Sequence, residues 1–215
     1  MKRLLVCMFV ITLACSTALW AADVPRQAHA TPSVIHTPAV VHPAGTKTIF
    51  SNLGPSTNAY YDGNGWLVAG PSSELGESQW IGLPFIPAKN STVTKISVAV
   101  GWDSAGANQF ILSLNNDSSG SVGTVIEQVT KKNLPTFGTC CTLVTWKLKT
   151  PQAVTAGTQY WVVASTPTTG TGDDTLAAWA FSIYDWFDYN IESGGWTGSL
   201  GFTGIPAAGV FGTIP

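Results

Sequence analysis

Between residue 46 and residue 215 the sequence contains no histidine. That absence removes Ser-His-Asp and Cys-His catalytic arrangements from this part of the chain. It also removes the His-Glu-x-x-His zinc helix and other histidine-based metal centres. No Gly-x-Ser-x-Gly elbow and no Gly-x-x-x-x-Gly-Lys loop is present, so nucleotide chemistry and most hydrolase classes are excluded. Charge is scarce as well, at 10% of the residues. Removing Lys2 and Arg3 leaves eight basic against twelve acidic residues, a net of −4, and no basic stripe is visible that would point to nucleic acid. Long apolar runs are missing after the first, so nothing beyond residue 22 approaches the roughly 20 residues of a membrane-spanning helix. No window of ten or more residues shows a helical period with caps.

The first run has the layout of a bacterial export signal. Lys2 and Arg3 form a positive n-region, an apolar stretch follows over residues 4–13, and small residues follow over 16–22. Two processing routes fit. Ala21 suits ordinary signal peptidase as the last residue removed, whereas Ile11-Thr12-Leu13-Ala14-Cys15 resembles a lipobox that would lipidate Cys15. Either route implies export, with residence in the periplasm, at the cell surface or outside the cell. Residues 23–45, punctuated by Pro25, Pro32, Pro38 and Pro43, are expected to form a Pro/Ala-rich disordered linker. His29, His36 and His42 lie in it, where they are solvated residues or weak metal chelators.

From Thr46 the pattern becomes one of short alternating runs. Ile96, Val98 and Val100, then Phe110, Leu112 and Leu114, then Val144, Trp146 and Leu148, then Tyr160, Val162 and Ala164 each recur at a period of two. That period predicts strands with one face buried. Turn-forming residues separate them at Asp62-Gly63-Asn64-Gly65, at residues 115–120 and at residues 169–174. Eight tryptophans remain after the leader, which disordered chains do not carry. The expectation is all-β: one jelly-roll-like antiparallel β-sandwich over residues 46–215, after a signal peptide and the linker.

Carboxylates are the catalytic groups still available, since glycan hydrolysis needs two acids roughly 5–10 Å apart. The densest set, Asp185, Asp188 and Glu192, would place Asp185 and Asp188 on opposite faces of a strand. Structural calcium is a further option, through hard oxygens of Asn115 and Asp117 or of Asp173 and Asp174, although turn formation explains the same residues. No other cofactor is indicated. Trp66, Trp102, Trp186 and Trp196, with Asp188 and Tyr189, are ligand-binding candidates. Rings near strand ends can stack on sugars, and equally they can close the ends of the core. Cys140 and Cys141 are adjacent, and their Cα atoms lie only about 3.8 Å apart across a trans peptide. Ordinary disulfide geometry needs more. Free thiols or bonds to other chains are the alternatives to the vicinal disulfide expected in an oxidising compartment.

Residues 113–126, Ser-Leu-Asn-Asn-Asp-Ser-Ser-Gly-Ser-Val-Gly-Thr-Val-Ile, resemble a strand–turn–strand signature of secreted bacterial β-sandwiches. So does Ala156-Gly157-Thr158-Gln159-Tyr160-Trp161-Val162-Val163. With Phe50-Ser51-Asn52-Leu53 and Ala208-Gly209-Val210-Phe211-Gly212, the chain is similar to the choice-of-anchor R domain over about residues 47–214. The resemblance implies an exported surface protein and supplies no catalytic residues. Such proteins often end in a hydrophobic sorting tail, which Gly212-Thr213-Ile214-Pro215 does not resemble, and this turns attention to Cys15. The expected function is an exported, non-catalytic module of the envelope or extracellular space that binds polysaccharide. A carboxylate-dependent glycan-active enzyme and a purely structural surface protein are the alternatives.

Overall fold

A computed structural model describes residues 27–29, 34–36, 45–53, 59–138, 143–183, 190–193, 196–199 and 204–215. Every element among them is a strand. In chain order these are β1 (Gln27–His29), β2 (Val34–His36), β3 (Lys47–Ser51), β4 (Ala59–Ala69), β5 (Gln79–Phe85), β6 (Ser91–Val98), β7 (Val100–Ala105) and β8 (Gln109–Ser118). There follow β9 (Ser121–Lys132), β10 (Val144–Val154), β11 (Tyr160–Ser165), β12 (Leu176–Ser182), β13 (Asn190–Ser193), β14 (Trp196–Ser199) and β15 (Ala208–Thr213).

The strands form two antiparallel sheets in a sandwich-like arrangement. The larger runs β7-β12-β4-β5-β11-β8-β9, and the smaller runs β10-β6-β15-β3. The alternation expected from the sequence is the packing pattern. Phe110, Leu112 and Leu114 of β8 are fully buried and meet Ile96 and Val98 of β6, and Trp146 of β10, in one core. Trp179 is the largest fully buried side chain; its indole Nε1 donates to the Ala207 carbonyl at 2.9 Å. Burying an aromatic ring while satisfying its one polar atom is what makes such a position stable.

Three features depart from the pattern read in the sequence. Ile96, Val98 and Val100 keep a period of two, yet β6 belongs to the smaller sheet and β7 to the larger. The chain changes sheets at Ala99, where backbone bonds run from Ala99 N–H to Ala207 O (3.1 Å), from Ala207 N–H to Ala180 O (2.8 Å) and from Ala180 N–H to Ala99 O (2.8 Å). The run Asp62-Gly63-Asn64-Gly65, expected as a turn, lies within β4. A Cβ on Gly65 would stand 2.5 Å from the Trp179 carbonyl oxygen, so glycine is there to let β12 approach, not to turn the chain. Finally, residues 23–45 are not wholly an unpaired linker: β1 pairs with Asn64 to Trp66 and β2 with Ala59 to Tyr61, both along β4.

The larger sheet also buries part of its second face. β13 pairs with β5, β14 pairs with β13, and β14 in turn comes against β9. On that face Trp161, Val163 and Val122 form a small buried cluster of their own. Trp161 is therefore buried, but it lies on the opposite side of β11 from Val162 and the main core.

Candidate functional site

β7 is the outermost strand of the larger sheet's main path. Its pairing with β12 steps from Trp102↔Ala177 to Ala105↔Leu176, so Asp103 and Ser104 are extra residues with no opposite number. This is a β-bulge, a device that turns a strand and re-aims side chains near its edge. The bulge is held from two sides. Trp102 N–H donates to Pro135 O and Phe137 N–H donates to Trp102 O, both at 2.8 Å. The Trp102 indole Nε1 reaches over the bulge to the Ala105 carbonyl at 2.9 Å. The ring is half-buried, with one side against the main core.

Asp103 is the titratable group at this edge. Burial pushes its carboxyl above the ordinary carboxylate range, and the negative charge of Glu74 pushes it further. Glu74 comes from the β4–β5 connection, whose backbone is fastened to the β11–β12 loop by Gly70 N–H to Thr175 O (3.0 Å) and Ser72 N–H to Asp173 O (2.9 Å). The buried Ser73 hydroxyl beside Glu74 has no hydrogen-bond partner among the described residues, a cost of about 1–3 kcal/mol. Leu75 from the same connection packs with Ala105 and Phe137 against Leu67, Ala69, Leu176 and Ala178. Around this edge stand a half-buried indole packed against the main core and two interacting carboxylates, with the buried Leu67–Leu176 cluster on the sheet's other face. The carboxylates can accept hydrogen bonds from hydroxyl groups, and the half-exposed indole offers an apolar ring at the same edge.

The other candidates fall differently. Trp66 is 3% exposed, donates through Nε1 to Gly204 O at 2.8 Å and packs edge-on against Phe181, so its ring is a core element with no face for a ligand. Trp186, Asp188 and Tyr189 lie outside the described residues, as do Cys140, Cys141 and Cys15. Trp196 begins β14, and its backbone places it on the β13–β14 hairpin.

Among the calcium candidates, Asn115 accepts from Ser113 Oγ at 2.7 Å and donates to Gly123 O at 2.9 Å. Asp117 Oδ1 accepts from Gln159 Nε2 (2.7 Å) and Trp161 Nε1 (2.8 Å), and its Oδ2 accepts from Gly120 N–H (2.9 Å). Those oxygens accept from donors of the protein itself and tie the β8–β9 hairpin tip to β11, the turn-forming role the same residues also allow. Asp174 Oδ1 accepts from Ala107 N–H at 3.2 Å, again a loop contact, and Asp173 lies beside it in the same turn. Among the described residues no group of three or more histidines, cysteines or acids is placed to hold a metal ion.

Sequence reasoning missed the pairing of Asp103 with Glu74, because the two are far apart in the chain and no local pattern joins them. It also passed over Trp80, a half-buried indole on β5 that donates to Thr166 Oγ1 at 3.1 Å. Fold and site together define an all-β sandwich with an aromatic and acidic edge. No family model, no curated protein and no solved structure matches the chain.

Proposed function

We propose that this chain is an exported, non-catalytic β-sandwich module that binds a polysaccharide of the envelope or extracellular space. The observation that supports this reading is the half-buried Trp102 beside the Asp103 bulge, with Glu74 across from it. Sugars present apolar ring faces and hydroxyls, which an indole and carboxylates complement. The leader-like residues 1–22 and the motif resemblance to choice-of-anchor R domains support the exported setting. A glycan array with the mature protein tests the reading. Binding to a defined saccharide set that Trp102→Ala lowers about tenfold supports it, and a silent array leaves a structural surface protein as the better account. Mass spectrometry of the mature N-terminus separates a soluble product beginning at residue 22 or 23 from one lipidated at Cys15.

A second reading rests on the raised Asp103 carboxyl. Two neighbouring carboxylates, one with its proton affinity raised, are the kind of pair a glycan-active enzyme uses for acid catalysis. Release of products from a polysaccharide panel, abolished in both Asp103→Asn and Glu74→Gln, would favour the enzyme over the binding module.

A further inference from the structure

Although the chain is net acidic, its charges are sorted between the two sheets. The four strands of the smaller sheet carry Lys47, Lys95, Lys147 and Lys149 and no acidic residue. Two of the three other lysines beyond residue 3, Lys89 and Lys131, border the same sheet. Lys89 precedes β6 and lines a shallow hollow of ≈ 230 Å³ together with Lys47. Lys131 and Lys132 end β9, and Lys131 Nζ donates to Thr145 O of β10 at 2.7 Å. Glu127 of β9 is turned onto β10, where its carboxylate accepts from the backbone N–H groups of Lys149 and Thr150 and from Gln152 Nε2.

Register places the charges on one surface. Lys147 lies opposite Lys95, Lys95 opposite Phe211, and Phe211 opposite Thr48, so these four share the side facing away from the main core. There Lys95 and Phe211 are themselves buried, and Lys147 and Thr48 are exposed. Lys95 Nζ stands 4.6 Å from the centre of the Phe211 ring, and Lys147 and Lys149 are exposed. Two like charges directly opposite each other are unfavourable in an isolated sheet. Burial, and then the charge of Lys147, lower the proton affinity of Lys95.

We infer that the outward face of the smaller sheet is a docking surface for an acidic, carboxylate-bearing polysaccharide. Charge complementarity selects an anionic partner. Lysine ammonium groups, flanked by the hydroxyls of Thr48 and Thr145, suit carboxylates and sugar hydroxyls on a flexible chain. A bilayer is the poorer fit, because the strongly exposed large hydrophobes among the described residues, Ile86 and Val125, lie on neither β3, β6, β10 nor β15. Nucleic acid is poorer too, since the described residues contain no arginine to grip phosphate in two-pronged fashion and this face exposes no ring for base stacking. The surface is separate from the β7 edge, and the inference stands whether or not that edge binds anything.

The test is co-sedimentation and calorimetry of the mature chain with polygalacturonate, neutral dextran and phosphatidylglycerol vesicles over a salt series. Sedimentation of the protein alone accompanies it. The expected result is binding to polygalacturonate that weakens steeply with ionic strength, and none to dextran. The double variant Lys147→Glu/Lys149→Glu lowers that affinity about tenfold or more. If charge reversal impairs folding, Lys147→Gln/Lys149→Gln is read in its place, with a loss of several-fold expected. The inference is overturned by absence of polygalacturonate binding at low salt, or by binding that a folded lysine variant retains in full. It is equally overturned by tighter binding to vesicles than to polygalacturonate, or by salt-sensitive self-association with no polymer bound.

Discussion

Two carboxylates of this fold respond to pH in opposite senses, for reasons visible in their surroundings. Asp103 has its proton affinity raised, first by burial and then by Glu74. Its contribution to stability is therefore complete below the ordinary carboxylate value of about 3.9 and is lost as pH rises through the higher folded value. Asp103→Asn, which keeps the shape without the charge, should be more stable than the parent at pH 7. Urea unfolding at pH 4 and pH 7 checks this, and the advantage should shrink at the lower pH. Glu74→Gln should bring the Asp103 titration, followed by carboxyl NMR, back toward the ordinary range. For Asp117 burial also pushes upward, but the hydrogen bonds from Gly120, Trp161 and Gln159 outweigh it and the net shift is downward. Its stabilisation is present above about pH 3.9 and lost as pH falls through the lower folded value. Asp117→Asn should cost about 1–2 kcal/mol at pH 7 and progressively less in acid.

At the scale of elements, two short devices set the edges and tips. Ser119 and Gly120 both have positive φ, 55° and 84°, so the β8–β9 hairpin closes on a two-residue turn whose twist matches its strands. Where β10 bulges between Lys147 and Gln152, Glu127 from β9 caps the freed N–H groups and spans the gap between the edges of the two sheets. Glu127→Ala should destabilise by about 1–3 kcal/mol, seen as a lowered denaturant midpoint, and Glu127→Gln should cost less because its amide oxygen still accepts. Little of this was legible in the sequence, whereas the strands were. The apolar alternation in β8, β10 and β11 identifies them because each has one face in the main core. The Asp62–Gly65 reading failed because a glycine looks the same whether it serves a turn or the close passage of Trp179. The candidate edge was hidden for another reason. A bulge at Asp103 and the arrival of Glu74 are products of strand pairing, and no residue near either one announces the other.

For the whole molecule, the sorting of charge was invisible in sequence because β3, β6 and β10 lie far apart along the chain and only pairing makes their lysines neighbours. The same pairing brings β3 against β15, strands from opposite ends of the domain. Folding must close that long loop before the smaller sheet is complete, which favours slow, all-or-none assembly. The three-way backbone ring of Ala99, Ala180 and Ala207 carries this further. One residue from each of three chain segments donates through its N–H to the next and accepts at its C=O from the previous, so releasing any one of them breaks two of the three bonds. The two sheets consequently share a clasp and have no seam along which one could peel from the other. Amide hydrogen exchange should show the three alanine N–H groups among the slowest in the protein, exchanging together at the rate of global opening. Early, separate exchange at any one of them would mean that the clasp opens locally and that the sheets are two cooperative units instead of one.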